Sequence, residues 1–138
     1  MRASLIQIAV DPDEPVGSRR QRAASLVVAQ RGGADLVVLP ELWPVGAFAY
    51  TAFEDEAEPP DGPPHARGDG QGRGGAGVWL HAGSFVERAA DGTLYNTTLV
   101  FSPEGERAAS YRKIHRFGFD QGEAVMMGAG EDLVTVPP

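Results

Sequence analysis

Read for hydrophobic period alone, the chain offers short apolar runs and one longer amphipathic stretch. Ser4 to Val10 is mostly apolar and predicts a strand, closed by Asp11-Pro12-Asp13. Asp13-Glu14-Pro15 has the features of a helix start, with acids near the N-terminal dipole and a proline in the first turn. Val16, Ala23, Val27 and Gln30 then recur near one face at helical spacing. Arg19, Arg20 and Arg22 fall largely off that face and read as its solvated side. Gly32-Gly33 ends the helix. Leu36-Val37-Val38-Leu39 is a run of four aliphatic residues, two of them β-branched, and predicts a strand buried on both faces. Pro40 stops it, having no N–H for a ladder. Strand, helix, strand predicts a βαβ unit with a right-handed crossover.

The pattern resumes at Val78. Val78 to Val86 and Leu94 to Phe101 predict two strands, and Ala90-Asp91-Gly92-Thr93 between them carries the Asp-Gly signal of a hairpin. Ser102-Pro103-Glu104-Gly105 is a second turn, and Ala108 to Ile114 predicts a third strand. Three antiparallel strands after a βαβ unit make a mixed sheet. Phe117 to Gly130 reads as a loop, and Asp132 to Val136 as the beginning of one more strand.

Between these halves the pattern loosens. Trp43, Phe48, Tyr50 and Phe53 gather beside Glu41, as plain packing or as the lining of a substrate pocket. Glu54, Asp55, Glu56 and Glu58 form an acidic run expected to be solvated. In the segment 59–77, eleven of nineteen residues are Gly or Pro and none is Val, Ile, Leu, Met or aromatic. Such a segment has no apolar face to bury and is expected to be disordered. Its Gly70-Gln71-Gly72-Arg73-Gly74-Gly75 satisfies G-x-G-x-x-G but follows no strand and opens no helix, so it is a chance match.

Composition narrows the class. With 138 residues the chain is one domain at most, and its 42% hydrophobic and 22% charged residues are those of a soluble globular protein. A net charge of −7 argues against a sequence-independent nucleic-acid binder. No apolar run is long enough to span a membrane, and the first ten residues lack the pattern of a signal peptide, which makes the cytoplasm the default. There is no cysteine, hence no disulfide and no thiolate metal site. Three scattered histidines form no recognisable metal site, and His81 is expected to pack in its strand. Asn96-Thr97-Thr98 matches a glycosylation sequon, which has no meaning without a secretory signal.

The candidate chemistry begins at Glu41, a carboxylate at the carboxyl end of a buried strand, where open α/β sheets bind ligands. On pattern alone it is equally a solvated acid opening a loop. What changes the picture is order and spacing. Leu39-Pro40-Glu41-Leu42-Trp43, Gly83-Ser84-Phe85-Val86, Tyr95 to Phe101 and Tyr111-Arg112-Lys113-Ile114-His115 follow one another across nearly the whole chain. Together they resemble the N-terminal half of a carbon–nitrogen hydrolase of the nitrilase/amidase superfamily.

That resemblance implies an α/β fold, an α-β-β-α sandwich with mixed sheets, here truncated, and a homodimer when full length. It implies a Glu–Lys–Cys triad acting on a small amide, nitrile or carbamoyl compound, with no metal or organic cofactor. In such a triad a thiolate attacks the substrate carbon, a glutamate in a partly dehydrated setting moves the protons, and an ammonium stabilises the developing oxyanion. Matched by motif, Glu41 takes the place of the base and Lys113 that of the cation. Glu123 is a looser match to a second glutamate that positions the lysine or substrate, and is equally an ordinary loop acid. Two departures stand out. The nucleophile is missing from these 138 residues, and 59–77 offers no amphipathic helix where the family has one. Compensating frameshifts in GC-rich coding DNA would produce such a tract; reading the DNA in the other two frames would then restore an apolar helical pattern. Residues 1–138 are thus expected to be the N-terminal part of one such domain, inactive alone. The alternative is a catalytically inactive fragment kept for binding or dimerisation.

Overall fold

The computed structural model describes residues 1–11, 13–61 and 77–136. Most of the Gly/Pro-rich segment expected to be disordered, with its G-x-G-x-x-G match, lies outside these residues.

The N-terminal part is a βαβ unit: β1 (Ala3–Leu5), α1 (Val16–Val28) and β2 (Leu36–Val38), with the two strands parallel. β1 is shorter than the apolar run that predicts it. Its register pairs Leu5 with Val38, and Ile6 N–H makes the next bond, 2.9 Å to Val38 O. Beyond that, Pro40 has no donor and the partner strand turns away. The proline that ends β2 therefore ends β1 as well.

β3 (Trp79–Arg88) joins β2 in parallel, and β4 (Leu94–Phe101) and β5 (Arg107–Arg112) follow antiparallel, giving one sheet ordered β1-β2-β3-β4-β5. This is the mixed sheet that the pattern predicts. The Asp91-Gly92 turn closes the first hairpin, Gly92 with φ +87° and Thr93 N–H bonded to Asp91 Oδ1 at 2.9 Å.

α1 covers one face of the sheet. Ala23 and Val27 meet Val37, Leu80, Phe85, Leu99 and Phe101 in the main core. The opposite face presents Leu36, Val38, Trp79, His81 and Val100, all only half-buried. They line an apolar groove of about 290 Å³, on which Met1 and Val136 also rest. A second cluster, Leu42, Val45, Phe53, Val86, Leu94 and Met127, seats the loop that follows β2.

Several expectations need correction. Arg19 is buried, not solvated, at 1% exposure. Positions 19, 23 and 27 are successive i, i+4 steps on one helix face. At the start of the helix that face meets loop carbonyls and the Glu14 carboxylate, so a guanidinium fits it. Arg19 donates to Pro44 O, to Asp11 O and, at 3.0 Å, to Glu14 O. The acidic run is not simply solvated either. Glu58 pairs with Arg20, both side chains largely buried, and Glu54 pairs with Arg88 at 2.8 Å. Phe117–Gly130 is not all loop, since it contains the short helix α2 (Glu123–Met126). Asp132 to Val136 forms no strand among the described residues. Leu133 stands 90% exposed, and Gly130 N–H donates to Lys113 O just beyond β5.

Candidate active site

Glu41 owes its place to a loop locked onto a bulge in β3. The β3–β4 register shifts between His81 and Ser84, and there the β3 backbone comes up against Pro40. Gly83, at φ +67°, is the contact point: a Cβ on it would lie 2.0 Å from Pro40 O. Ser84 N–H donates to that same oxygen at 3.1 Å, and Ser84 Oγ accepts Leu42 N–H at 2.9 Å. Trp43 Nε1–H reaches Ala82 O at 2.9 Å, and Arg19 holds Pro44 O from below. Leu42 itself sits at φ +44°, a conformation that L residues adopt only when their surroundings impose it. The Gly83-Ser84 pair thus has a physical task. It lets two backbones touch and so fixes the loop that carries the carboxylate after Pro40.

Lys113 follows β5 directly, its N–H bonded to Asn96 O of β4 at 2.9 Å. Its Nζ lies 2.6 Å from Glu41 Oε1 and 2.8 Å from Glu123 Oε2. The structure therefore brings all three residues singled out in the sequence into one cluster, although 72 positions separate Glu41 from Lys113. Glu123, on the first turn of α2, is the most enclosed of them, its side chain 4% exposed against 25% for Lys113 and 54% for Glu41. Phe117 N–H also donates to Glu123 Oε2, at 2.7 Å.

A fourth member went unrecognised. Asn96 Nδ2 donates to Glu41 Oε1 at 2.9 Å and to Glu123 Oε1 at 2.5 Å. Only its NH₂ can face two carboxylates, so this contact also fixes the amide orientation. In the sequence Asn96 stands out only as part of a sequon and of the Tyr95 to Phe101 motif. The period-2 alternation of β4 puts it on a defined face, but nothing local says that two carboxylates wait there.

The charges balance unevenly, two carboxylates against one ammonium. Partial burial pulls the Lys113 ammonium down in pKa, but the bonds from Glu123 and Glu41 outweigh it and hold the group above the ordinary lysine value. Burial pushes Glu123 up, yet its bonds to Lys113, Phe117 N–H and Asn96 leave it below the ordinary carboxylate value. Lys113 is thus a fixed cation and Glu123 a fixed anion near neutral pH. Glu41 carries both of its donors on Oε1, and among the described residues Oε2 holds no hydrogen bond.

Glu41, Asn96 and Lys113 border a cavity of about 170 Å³, whose other walls include His81, Ser84 and Thr98. His81 Nδ1 accepts Gly83 N–H at 3.3 Å, and burial pushes its pKa down. Among the aromatics near Glu41, Trp43 and Phe53 are core. Phe48 is 73% exposed and meets Tyr50 and Phe117 edge-on. A larger cleft of about 700 Å³ lies against the other side of β5, with Arg107, Arg112 and Asp132 in its walls, and contains none of the cluster.

The profile of the carbon–nitrogen hydrolase family matches residues 2–137. The chain belongs to that family. Among sequenced relatives of this carbon–nitrogen hydrolase, a 2-oxoglutaramate amidase of Paenarthrobacter nicotinovorans is 36% identical over 130 residues, which is 92% of this chain and 44% of that protein. The omega-amidase NIT2 of Mus musculus is 36% identical over 120 residues, 86% of this chain and 42% of that protein. The chain spans less than half the length of these curated relatives. Among solved structures, a CN-hydrolase superfamily protein of Xanthomonas campestris superposes with TM-score 0.79 at 29% identity, covering 99% of this chain and 48% of that one. Saccharomyces cerevisiae Nit3, of the nitrilase superfamily, has the same fold, with TM-score 0.78 at 22% identity, 99% of this chain and 51% of that one. The sheet and its helix are thus the nitrilase-like α/β fold, in a chain about half as long.

Proposed function

We propose that this carbon–nitrogen hydrolase chain supplies the Glu–Lys portion of a Glu–Lys–Cys site that hydrolyses a small amide. The observation that supports it is Lys113 Nζ held between Glu41 and Glu123 at 2.6 and 2.8 Å. In this reading residues 1–138 are the N-terminal part of one catalytic domain, and the substrate is an amide before a nitrile or carbamoyl compound, because amidases are named among the relatives.

The geometry supports one role for each residue. Glu41 Oε2 takes the proton of a thiol as its sulfur adds to the amide carbon. It returns that proton to the leaving nitrogen as the C–N bond breaks, then draws one from the water that adds to the thioester and hands it to the departing sulfur, which restores the thiol. Lys113, kept charged by two carboxylates, stabilises the oxyanion of each tetrahedral intermediate. Glu123 holds the ammonium in place and touches no reacting atom. The products are a carboxylic acid and ammonia.

The chain has no cysteine, so it cannot form the acyl-enzyme and is inactive alone. The lack of a nucleophile and the open apolar sheet face favour a second reading, a remnant retained for binding or dimerisation. A chimera separates the two. Residues 2–137 are grafted onto the remaining portion of the P. nicotinovorans amidase, and ammonia release from small monoamides is followed. Activity that falls about 10³-fold or more in Glu41→Gln and in Lys113→Met supports the catalytic reading. A soluble chimera whose activity is unchanged by Glu41→Gln sinks it. Turnover by the 138-residue chain itself would refute its inactivity.

A further inference from the structure

Two cations stand side by side at the end of β5, Arg112 and Lys113, and strand geometry sends them to opposite faces of the sheet. A one-residue slip of β5 against β4 would exchange them. Arg112 would then meet Glu41 and Glu123, a pair of carboxylates that a guanidinium grips as well as an ammonium does. Little in β5 itself forbids this. None of its residues is fully buried, and Arg107, Ala108 and Ser110 are exposed, so no apolar face sets its register. The hairpin carries an irregularity between Val100 and Phe101, the one-residue slack that a slip needs.

On the far face of the sheet Arg112 is captured. Glu87 of β3 is 1% exposed and accepts the Thr97 Oγ1 hydrogen at 2.6 Å. Arg112 donates to the same carboxylate through Nε at 3.3 Å and through Nη2. Its guanidinium also lies 4.0 Å over the Tyr95 ring. Thr97 and Arg112 are direct partners in the β4–β5 ladder, so the network ties three successive strands at one level. In the slipped register Tyr111 would replace Arg112, leaving a buried carboxylate without its cation.

We propose that Glu87 and Arg112 form a register lock that assigns Lys113, and not Arg112, to the Glu41 side. The inference rests on the catalytic reading of Lys113, and it makes Glu87 and Arg112 positioning residues. It gives the ion pair, whose carboxylate is buried and whose guanidinium is partly exposed, a task in specificity that a gain in stability does not require.

The test reads strand pairing by cross-strand NOEs in the 138-residue chain. In the parent, Thr97 pairs with Arg112. Glu87→Met frees Arg112, and a second set of signals with Thr97 opposite Tyr111 is expected. Adding Arg112→Met removes the competing cation and restores the native set alone. If Glu87→Met does not fold, Glu87→Gln, which keeps the volume and the bond to Thr97, is read for the same slipped set. Native pairing alone in the folded single variant overturns the lock. So does failure of both single variants and of the double variant to fold, since the pair is then a stability element. Pairing is independent of turnover. A failed chimera assay with slipped pairing in Glu87→Met sinks the catalytic reading and keeps the lock, and the converse sinks the lock alone.

Discussion

Asn96 Nδ2 lies 2.5 Å from Glu123 Oε1 in a buried site, and the same nitrogen reaches Glu41. One neutral amide thus bridges two anions that would otherwise face each other with Lys113 as their shared partner. Asn96→Asp replaces the bridge with a third carboxylate, and like charges at this range cannot all stay ionised. The expected outcome is at least one carboxyl group of the cluster titrating higher than in the parent, read by ¹³C NMR. Unchanged titration of the cluster would show that the bridge has no electrostatic role. Asn96→Leu leaves Glu123 short of one donor and should cost about 1.5–3 kcal/mol in urea denaturation.

Gly83 is where the Glu41 loop comes closest to the β3 backbone and leaves no room for a Cβ. Gly83→Ala places a methyl group 2.0 Å from Pro40 O, at a φ of +67° that alanine disfavours. A loss of about 3 kcal/mol or more is expected, with the Glu41 resonances displaced. A variant within about 0.5 kcal/mol of the parent would mean that the contact is readily relieved. Ser84→Ala, which deletes only the acceptor of Leu42 N–H, should cost less, about 1–3 kcal/mol.

Arg19 holds carbonyls of two loops from inside the core. Arg19→Met removes their donors and the cation beside Glu14, and about 3–5 kcal/mol should be lost. Arg19→Lys should recover only part of this, because one ammonium cannot reproduce the fork of the guanidinium. Full recovery in chemical denaturation would contradict the role assigned to the fork.

The Lys113–Glu123 pair makes a signed prediction about pH. Glu123 is depressed below its ordinary value of 4.5, so its contribution is present above pH 4.5 and fades as pH falls toward the folded value. Lys113 is raised above 10.5, so its contribution is present below pH 10.5 and is lost as pH rises through the folded value. Between these limits the cluster should add no slope. Stability of the parent minus that of Glu123→Gln, followed by thermal melts, should therefore be flat through neutrality and shrink in acid. A difference that grows as the pH drops below 4.5 would reverse the assignment.

Much of the fold was legible locally. Apolar runs in β3 and β4, a period near 3.6 in α1, an aliphatic run ended by Pro40 and an Asp-Gly turn each announce an element through its own neighbours. Boundaries were less legible because they depend on partners. β1 stops where β2 has no further donor to offer, and Asp132–Val136 finds no ladder among the described residues. Arg19 misled because a helical face is judged by what covers it, and here backbone carbonyls do.

By itself, the sequence determined the order of elements, the mixed sheet and the residues worth watching, Glu41, Lys113 and Glu123. The elements rest on spacing along the chain, which a strand or helix converts directly into a face, and the three residues rest on the motifs that resemble a carbon–nitrogen hydrolase. Only the tertiary structure decided that the three meet, that Asn96 bridges the carboxylates, and that Gly83 and Ser84 hold the Glu41 loop. It also decided which of two adjacent cations enters the site. Each of those outcomes turns on contacts of 2.5–3 Å between segments far apart in the chain, which no local pattern encodes.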